Sequence, residues 1–168
     1  MLENGRQDTN ITLGLGELRA ATGADTVLAC LGLGSCVAMC AYDPVSKVGG
    51  MAHMVLPRRG ESTGQAASAK FVDCGVPMLI EQMEQLGAKK SRLVVKLVGG
   101  AQMIANQNHN GVFHIGERNA EAAKAVLADL GVPIRAVDTG GNRGRTVRLH
   151  LESGRLMVSS VGGPSHEL

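Results

Sequence analysis

The chain contains no tryptophan, one tyrosine and two phenylalanines, so aromatics make up only 2% of its 168 residues. Its core must be built from Val, Leu, Ile, Met and Ala, and there is no platform on which the bases of a single strand could stack. Strong charge is missing too. Lys and Arg number 17 against 15 Asp and Glu, a net of +2, too small and too scattered for a nucleic-acid surface. No apolar run approaches the roughly 20 residues of a membrane-spanning helix. The opening MLENGRQ lacks the basic-then-apolar pattern of a secretory signal, so the four cysteines read as reduced thiols, not as a disulfide framework. The expectation is a cytoplasmic protein with no nucleic-acid partner and no membrane insertion.

What is present describes a folded protein. Hydrophobic residues make up 44% and charged residues 19%, and the length suits one domain with a sizeable core. Residues 1–10 are polar and read as a frayed segment, 11–160 as the domain and 161–168 as a flexible tail. Strand-like runs fall at 11–18, 26–31, 36–42, 48–56, 92–98, 134–137, 146–151 and 155–160. Residues 57–66, with Arg58, Arg59, Gly60 and Gly64, read as a mobile loop. One helix is expected over 68–86, kinked or delayed by Gly75 and Pro77. A second spans 119–130, with Asn119 as N-cap and Gly131 closing its end. Many strands and two helices predict an α/β or α+β fold: a single-domain, β-sandwich-like core of mixed strands with flanking helices.

The stretch GLGSCVAMC, residues 32–40, poses the functional question, because Cys36 has several readings. A dinucleotide-binding G-x-G-x-x-G fails, since Val37 stands where the third glycine belongs, and the chain has no G-x-x-x-x-G-K-[ST]. A metal site is disfavoured: on a strand Cys36 and Cys40 lie about 13 Å apart, and no second Cys/His pair at zinc spacing accompanies them. The remaining readings are a small buried hydrophobe, the usual state of a free cysteine and the one adopted for Cys40 and Cys74, or a nucleophile.

A hairpin argument bears on the choice. If 36–42 and 48–56 pair around Asp43-Pro44-Val45-Ser46, with Pro44 at the second turn position, Cys36 faces His53. Opposed Cβ atoms lie about 4.5–5.5 Å apart, within thiol–imidazole reach. An imidazolium beside a thiol favours the thiolate. Gly34 and Ser35 let the backbone approach a substrate and offer amide N–H groups to an oxyanion. The competing account of His53 is a buried imidazole bonded to a backbone carbonyl, and spacing alone leaves both open.

Five blocks in order, LGLGSCVAMCAYDP, GGMAHMVLP, VKLVGGAQM, IGERNAEAAKAVL and DTGGNRGRTVRLHLESG, resemble the CheD family of bacterial chemoreceptor glutamine deamidases across about residues 11–160. The resemblance implies a cysteine-hydrolase type of domain that converts glutamine side chains of methyl-accepting chemotaxis receptors to glutamate, with Cys36 as nucleophile, His53 as base and no cofactor or metal. It also implies a partner such as a CheC-like phosphatase or a response regulator. Two positions depart from the family pattern. Cys30 occupies the place of a threonine that orients the histidine; either it fills that role, another group such as a backbone carbonyl does, or activity is reduced. Ile104 stands where relatives often carry phenylalanine, in a region read as partner contact. Arg58, Arg59, Met103 and Thr139 are candidate rim residues for substrate or partner, while Arg143, Arg145 and Arg148 read mainly as solvated or as facing acidic receptor surface.

Overall fold

Side-chain alternation along two central strands sets the layering. The computed structural model describes residues 9–60, 66–103 and 114–168; Ile104 and residues 61–65 of the expected 57–66 loop lie outside them. Strands β4 (Val37–Asp43) and β5 (Val48–Met54) are buried along their whole length, as expected for strands covered on both faces. Val37, Met39 and Ala41 of β4 point to one side and pack with helix residues, whereas Ala38 and Cys40 point to the other and pack against a second sheet.

The first sheet has the order β2 (Leu18–Ala21), β5, β4, β6 (Val94–Gly99), β7 (Ile134–Thr139). The second runs β1 (Thr9–Thr12), β3 (Thr26–Leu33), β8 (Arg145–His150), β9 (Arg155–Ser160), β10 (Ser165–Glu167). Helices α1 (Val72–Gln85) and α2 (Ile115–Asp129) cover the outer face of the first sheet. Val72, Val76, Leu79, Met83, Ala123 and Leu127 pack there with Met39, Val95 and Leu97. Between the sheets, Leu28, Cys30, Val147, Leu149, Leu156 and Val158 meet Ala38, Cys40, Met51 and Val98. The result is a mixed α+β molecule with a helix–sheet–sheet arrangement, as the order of elements predicted. No described helix is long and apolar enough to cross a membrane.

Several boundaries differ from the sequence reading. The run 11–18 is split into β1 and β2 around a loop at 13–17, because β1 pairs parallel with β3 while β2 pairs antiparallel with β5 in the other sheet. Thr9 and Asn10, expected to fray, are strand residues, and Ser165–Glu167, expected in a flexible tail, pair with β9. Helix α1 starts at Val72, four residues late, and runs on through Pro77. Helix α2 starts at Ile115, so Asn119 is not its cap.

The β4–β5 hairpin forms, but two residues out of the expected register. Asp43 pairs with Val48 and Ala38 with His53. The cause is the turn. The Asp43 carboxylate accepts the N–H groups of Val45 and Ser46, and the Lys47 N–H donates to the Asp43 carbonyl, which leaves Lys47 at φ +59° and moves the four-residue loop from 43–46 to 44–47. Asp43 is fully buried, and Arg92 Nη2 reaches its carboxylate at 2.7 Å. Burial alone would raise its pKa, but Arg92 and the N–H groups of Lys89, Val45 and Ser46 together hold the carboxyl well below the usual range.

Candidate active site

Gly34-Ser35-Cys36 joins β3 to β4, and all three of its carbonyls are anchored. The Gly34 carbonyl accepts the Ala101 N–H at 2.8 Å, that of Cys36 accepts the Gly100 N–H at 2.8 Å, and that of Ser35 accepts Asn119 Nδ2 at 2.9 Å. In a planar trans peptide the N–H points opposite to the carbonyl, so the Ser35 N–H points away from Ala101 and the Cys36 N–H away from the Asn119 amide. Burial raises the Cys36 thiol above its ordinary value, and its own N–H partly offsets this by favouring the thiolate. Gly99, at φ +113°, forms the seat of the loop: a Cβ there would lie 2.3 Å from the Cys36 carbonyl oxygen. Met103 lies over Gly34, with its Cγ 3.0 Å from where a Cβ would stand.

His53 is buried on β5 and shares the inter-sheet face with Ala38, its ladder partner. Cys36 is half-buried and packs against the same inter-sheet core. Cys36, one residue before β4, therefore sits diagonally across from His53 rather than directly opposed to it, because the two-residue shift keeps the face while moving the partner, and its thiol makes no hydrogen bond to Nε2 of the ring. The loop 13–17 straps His53 in place. The Gly16 N–H donates to the His53 carbonyl, the His53 N–H to the Glu17 carbonyl, each at 2.8 Å, and the Glu17 carboxylate accepts the Gly14 N–H at 2.7 Å.

The imidazole has one engaged edge and one unengaged edge. Nδ1 lies 3.2 Å from the Leu13 carbonyl oxygen, while Nε2 is buried without a hydrogen-bond partner. A carbonyl only accepts, so the proton sits on Nδ1 and Nε2 presents a lone pair. Burial lowers the His53 pKa, opposed by the Leu13 carbonyl and the Glu17 charge. The ring is neutral at neutral pH and ready to take a proton.

Cys30 makes no hydrogen bond to this ring. Its Sγ lies 3.4 Å from Met51 Sδ, and burial, reinforced by the nearby Cys36 and Glu17, pushes its pKa to about 12. It is a neutral thiol in the core, and the group against the ring's Nδ1 is the Leu13 carbonyl.

The candidate rim residues disperse. Met103 overhangs the Cys36 loop, about half exposed. Thr139 ends β7 opposite Gly99 and lines a cavity of about 270 Å³ with Gly100, Gln102, Glu117 and Glu121. Arg58 borders a separate depression beside Arg118 and Ala122 on α2, and the Arg59 N–H donates to the Asp73 carboxylate at 3.2 Å, so both belong to the helical layer. Arg145 is buried, not solvated: it pairs with Asp138 at 3.0 Å and donates to the Gly140 carbonyl at 2.8 Å.

Two contributors were not read from the sequence as site residues, the 13–17 strap and Asn119. The signal for the strap was the pair Gly14 and Gly16, which breaks a strand pattern. For Asn119 it was its place on the same helix face as Gly116, Ala120, Ala123 and Leu127, the buried stripe of α2.

Comparison with known proteins adds a second line of support. Residues 55–160 match the family model CheD, described as CheD chemotactic sensory transduction. A probable chemoreceptor glutamine deamidase CheD of Symbiobacterium thermophilum is 45% identical over 157 residues, 93% of this chain and 95% of that protein. One of Caldanaerobacter subterraneus is 46% identical over 136 residues, 81% and 84% of the two chains. The chemoreceptor glutamine deamidase CheD of Thermotoga maritima is 46% identical over 151 residues, 90% and 92%. Among solved structures, the hypothetical protein YfiH of Bacillus licheniformis aligns over 83% of this chain and 61% of its own, at 13% identity and a TM-score of 0.45, a distant likeness.

Proposed function

Starting from the fact that this chain belongs to the CheD family, we propose that it hydrolyses glutamine side chains of chemoreceptor cytoplasmic helices to glutamate, with Cys36 as nucleophile and His53 as general base. The observation that carries the reading is the His53 ring: Nδ1 is engaged by Leu13, and Nε2 is buried and unpartnered beside a core that includes Cys36. A buried ring nitrogen without a partner costs stability, and a base needs such a nitrogen.

The reaction runs in two halves. His53 Nε2 takes the Cys36 proton, and the thiolate attacks the side-chain amide carbon. The N–H groups of Ser35 and Cys36 face the developing oxyanion. His53 returns the proton to the departing nitrogen, ammonia leaves, and a thioester remains. Water, deprotonated by His53, attacks the thioester and releases glutamate and the thiol. Every proton passes through one ring nitrogen, and no metal or organic cofactor is needed.

Cys30 in place of the family threonine favours a second reading, a non-catalytic module that binds a CheC-like phosphatase or a response regulator. The Leu13 contact weighs against it, because the imidazole is oriented without a hydroxyl at position 30. Cys36→Ala and His53→Ala should each lower ammonia release from a receptor fragment by at least about 10³-fold with the fold intact. Wild-type turnover in either variant contradicts the Cys–His scheme, and inactivity of the wild type itself favours the binding module.

A further inference from the structure

We propose that Asn119 is a positioning residue that fixes the separation of Cys36 and His53 from helix α2; the proposal rests on the reading of those two residues as nucleophile and base. Asn119 is fully buried inside a helix, where asparagine has poor propensity and no solvent to reach. Its Nδ2 donates to two carbonyls, those of Ser35 and Val55, each at 2.9 Å. Both partners only accept, which fixes the amide nitrogen on that side.

The two carbonyls come from the two segments that must be held together. Ser35 precedes Cys36, and Val55 lies two residues beyond His53. The β4–β5 ladder ends at the pair Val37 and Met54, so residues 36 and 55 would form its next rung. Where that ladder stops, the Asn119 amide bridges the two chains from the side.

Helix α2 bears on the same loop at a second point. A Cβ on Gly116 would lie 2.5 Å from the Ala101 carbonyl oxygen and 2.6 Å from that of Gly100. The N–H groups of Gly100 and Ala101 are the ones that hold the Cys36 and Gly34 carbonyls. Asn119 Oδ1, meanwhile, is buried without a hydrogen-bond partner. For stability alone, an apolar residue would suit the helix–sheet interface better than an amide that orphans one of its atoms. What the amide adds is the tie between nucleophile and base.

The test compares wild type, Asn119→Ala, Asn119→Ser, His53→Ala and Leu127→Ala, the last truncating a buried residue of α2 far from the loop contacts. Readouts are the pH profile of Cys36 alkylation by iodoacetamide, followed on its peptide by mass spectrometry, kcat and KM for ammonia release from a receptor fragment, and Tm. Asn119→Ala is expected to lower kcat about tenfold or more with KM little changed, and to shift the alkylation profile toward that of His53→Ala. Asn119→Ser, which keeps one donor, should fall between. Leu127→Ala should lower Tm at least as much yet keep the wild-type profile and kcat. Wild-type profiles and kcat in both Asn119 variants, or the same losses in Leu127→Ala, overturn the positioning role while leaving the dyad in place if His53→Ala differs from wild type. A wild-type profile in His53→Ala removes the dyad and this proposal with it.

Discussion

At the scale of single residues, the proposed chemistry turns on a histidine kept neutral by burial. The sign of the pH dependence follows. The unfolded chain binds a proton at His53 below its ordinary pKa of 6.5, whereas the folded, lowered His53 does not until a lower pH. Stability from this group is therefore present above 6.5 and lost as pH falls from there through the folded value. Thermal unfolding should show wild type losing its margin over His53→Gln across that window; a margin that widens on acidification contradicts the assigned burial. Cys30 makes a second residue-scale prediction. Because its thiol meets Met51 and not His53, Cys30→Ala should keep ammonia release within about threefold of wild type while costing about 1 kcal/mol or more of stability through the cavity it leaves. That Cys36 and His53 lie across one hairpin was legible from the sequence, because the two runs around the Pro44 turn pair as expected in all but register. A backbone carbonyl on the imidazole was among the sequence readings; that it belongs to Leu13 was not legible, since a carbonyl leaves no mark on residue identity.

At the scale of elements, the site is a junction of three pieces: the 34–36 loop, the edge of β5 and the glycine turn after β6. Gly99→Ala tests the last of these. The added Cβ would collide with the Cys36 carbonyl oxygen, and φ +113° disfavours any side chain. A loss of about 1–3 kcal/mol in Tm-derived stability is expected, together with reduced turnover. Unchanged turnover would show that the loop does not need this seat. The β4–β5 turn is a second element with a clear prediction. Asp43→Ala removes the carboxylate that caps Val45 and Ser46 and pairs with Arg92, and should cost about 2–4 kcal/mol in denaturant unfolding. Its stabilisation belongs to the ionised form, so it is present above the ordinary carboxyl pKa of 3.8 and lost as pH falls below it toward the lowered folded value. The hairpin itself was readable from alternation and the Pro44 turn. Its register was not, because the Asp43 side chain and the left-handed Lys47 decide where the four-residue loop begins. The two-residue error preserved the face, and so His53 still looked toward the right core.

At the scale of the whole molecule, the two-core arrangement explains where the site lies. One core glues the helices to the first sheet, the other glues the sheets together, and the Cys36 loop crosses between sheets where the second core reaches solvent. Strand-rich patterning with two helices predicted the layers. It could not predict that β1 and β2, read as one strand, go to different sheets, since that division depends on pairing partners distant in the chain. It also placed Asn119 at a helix start, because capping preference and a buried polar contact favour the same residue type. Glutamine deamidation through Cys36 is best tested by ammonia release from a purified receptor cytoplasmic fragment, with mass spectrometry locating each amide-to-acid change. Wild type should convert defined receptor glutamines and Cys36→Ala none; conversion by Cys36→Ala at the wild-type rate, or none by a folded wild type that binds the fragment, would overturn the proposed chemistry.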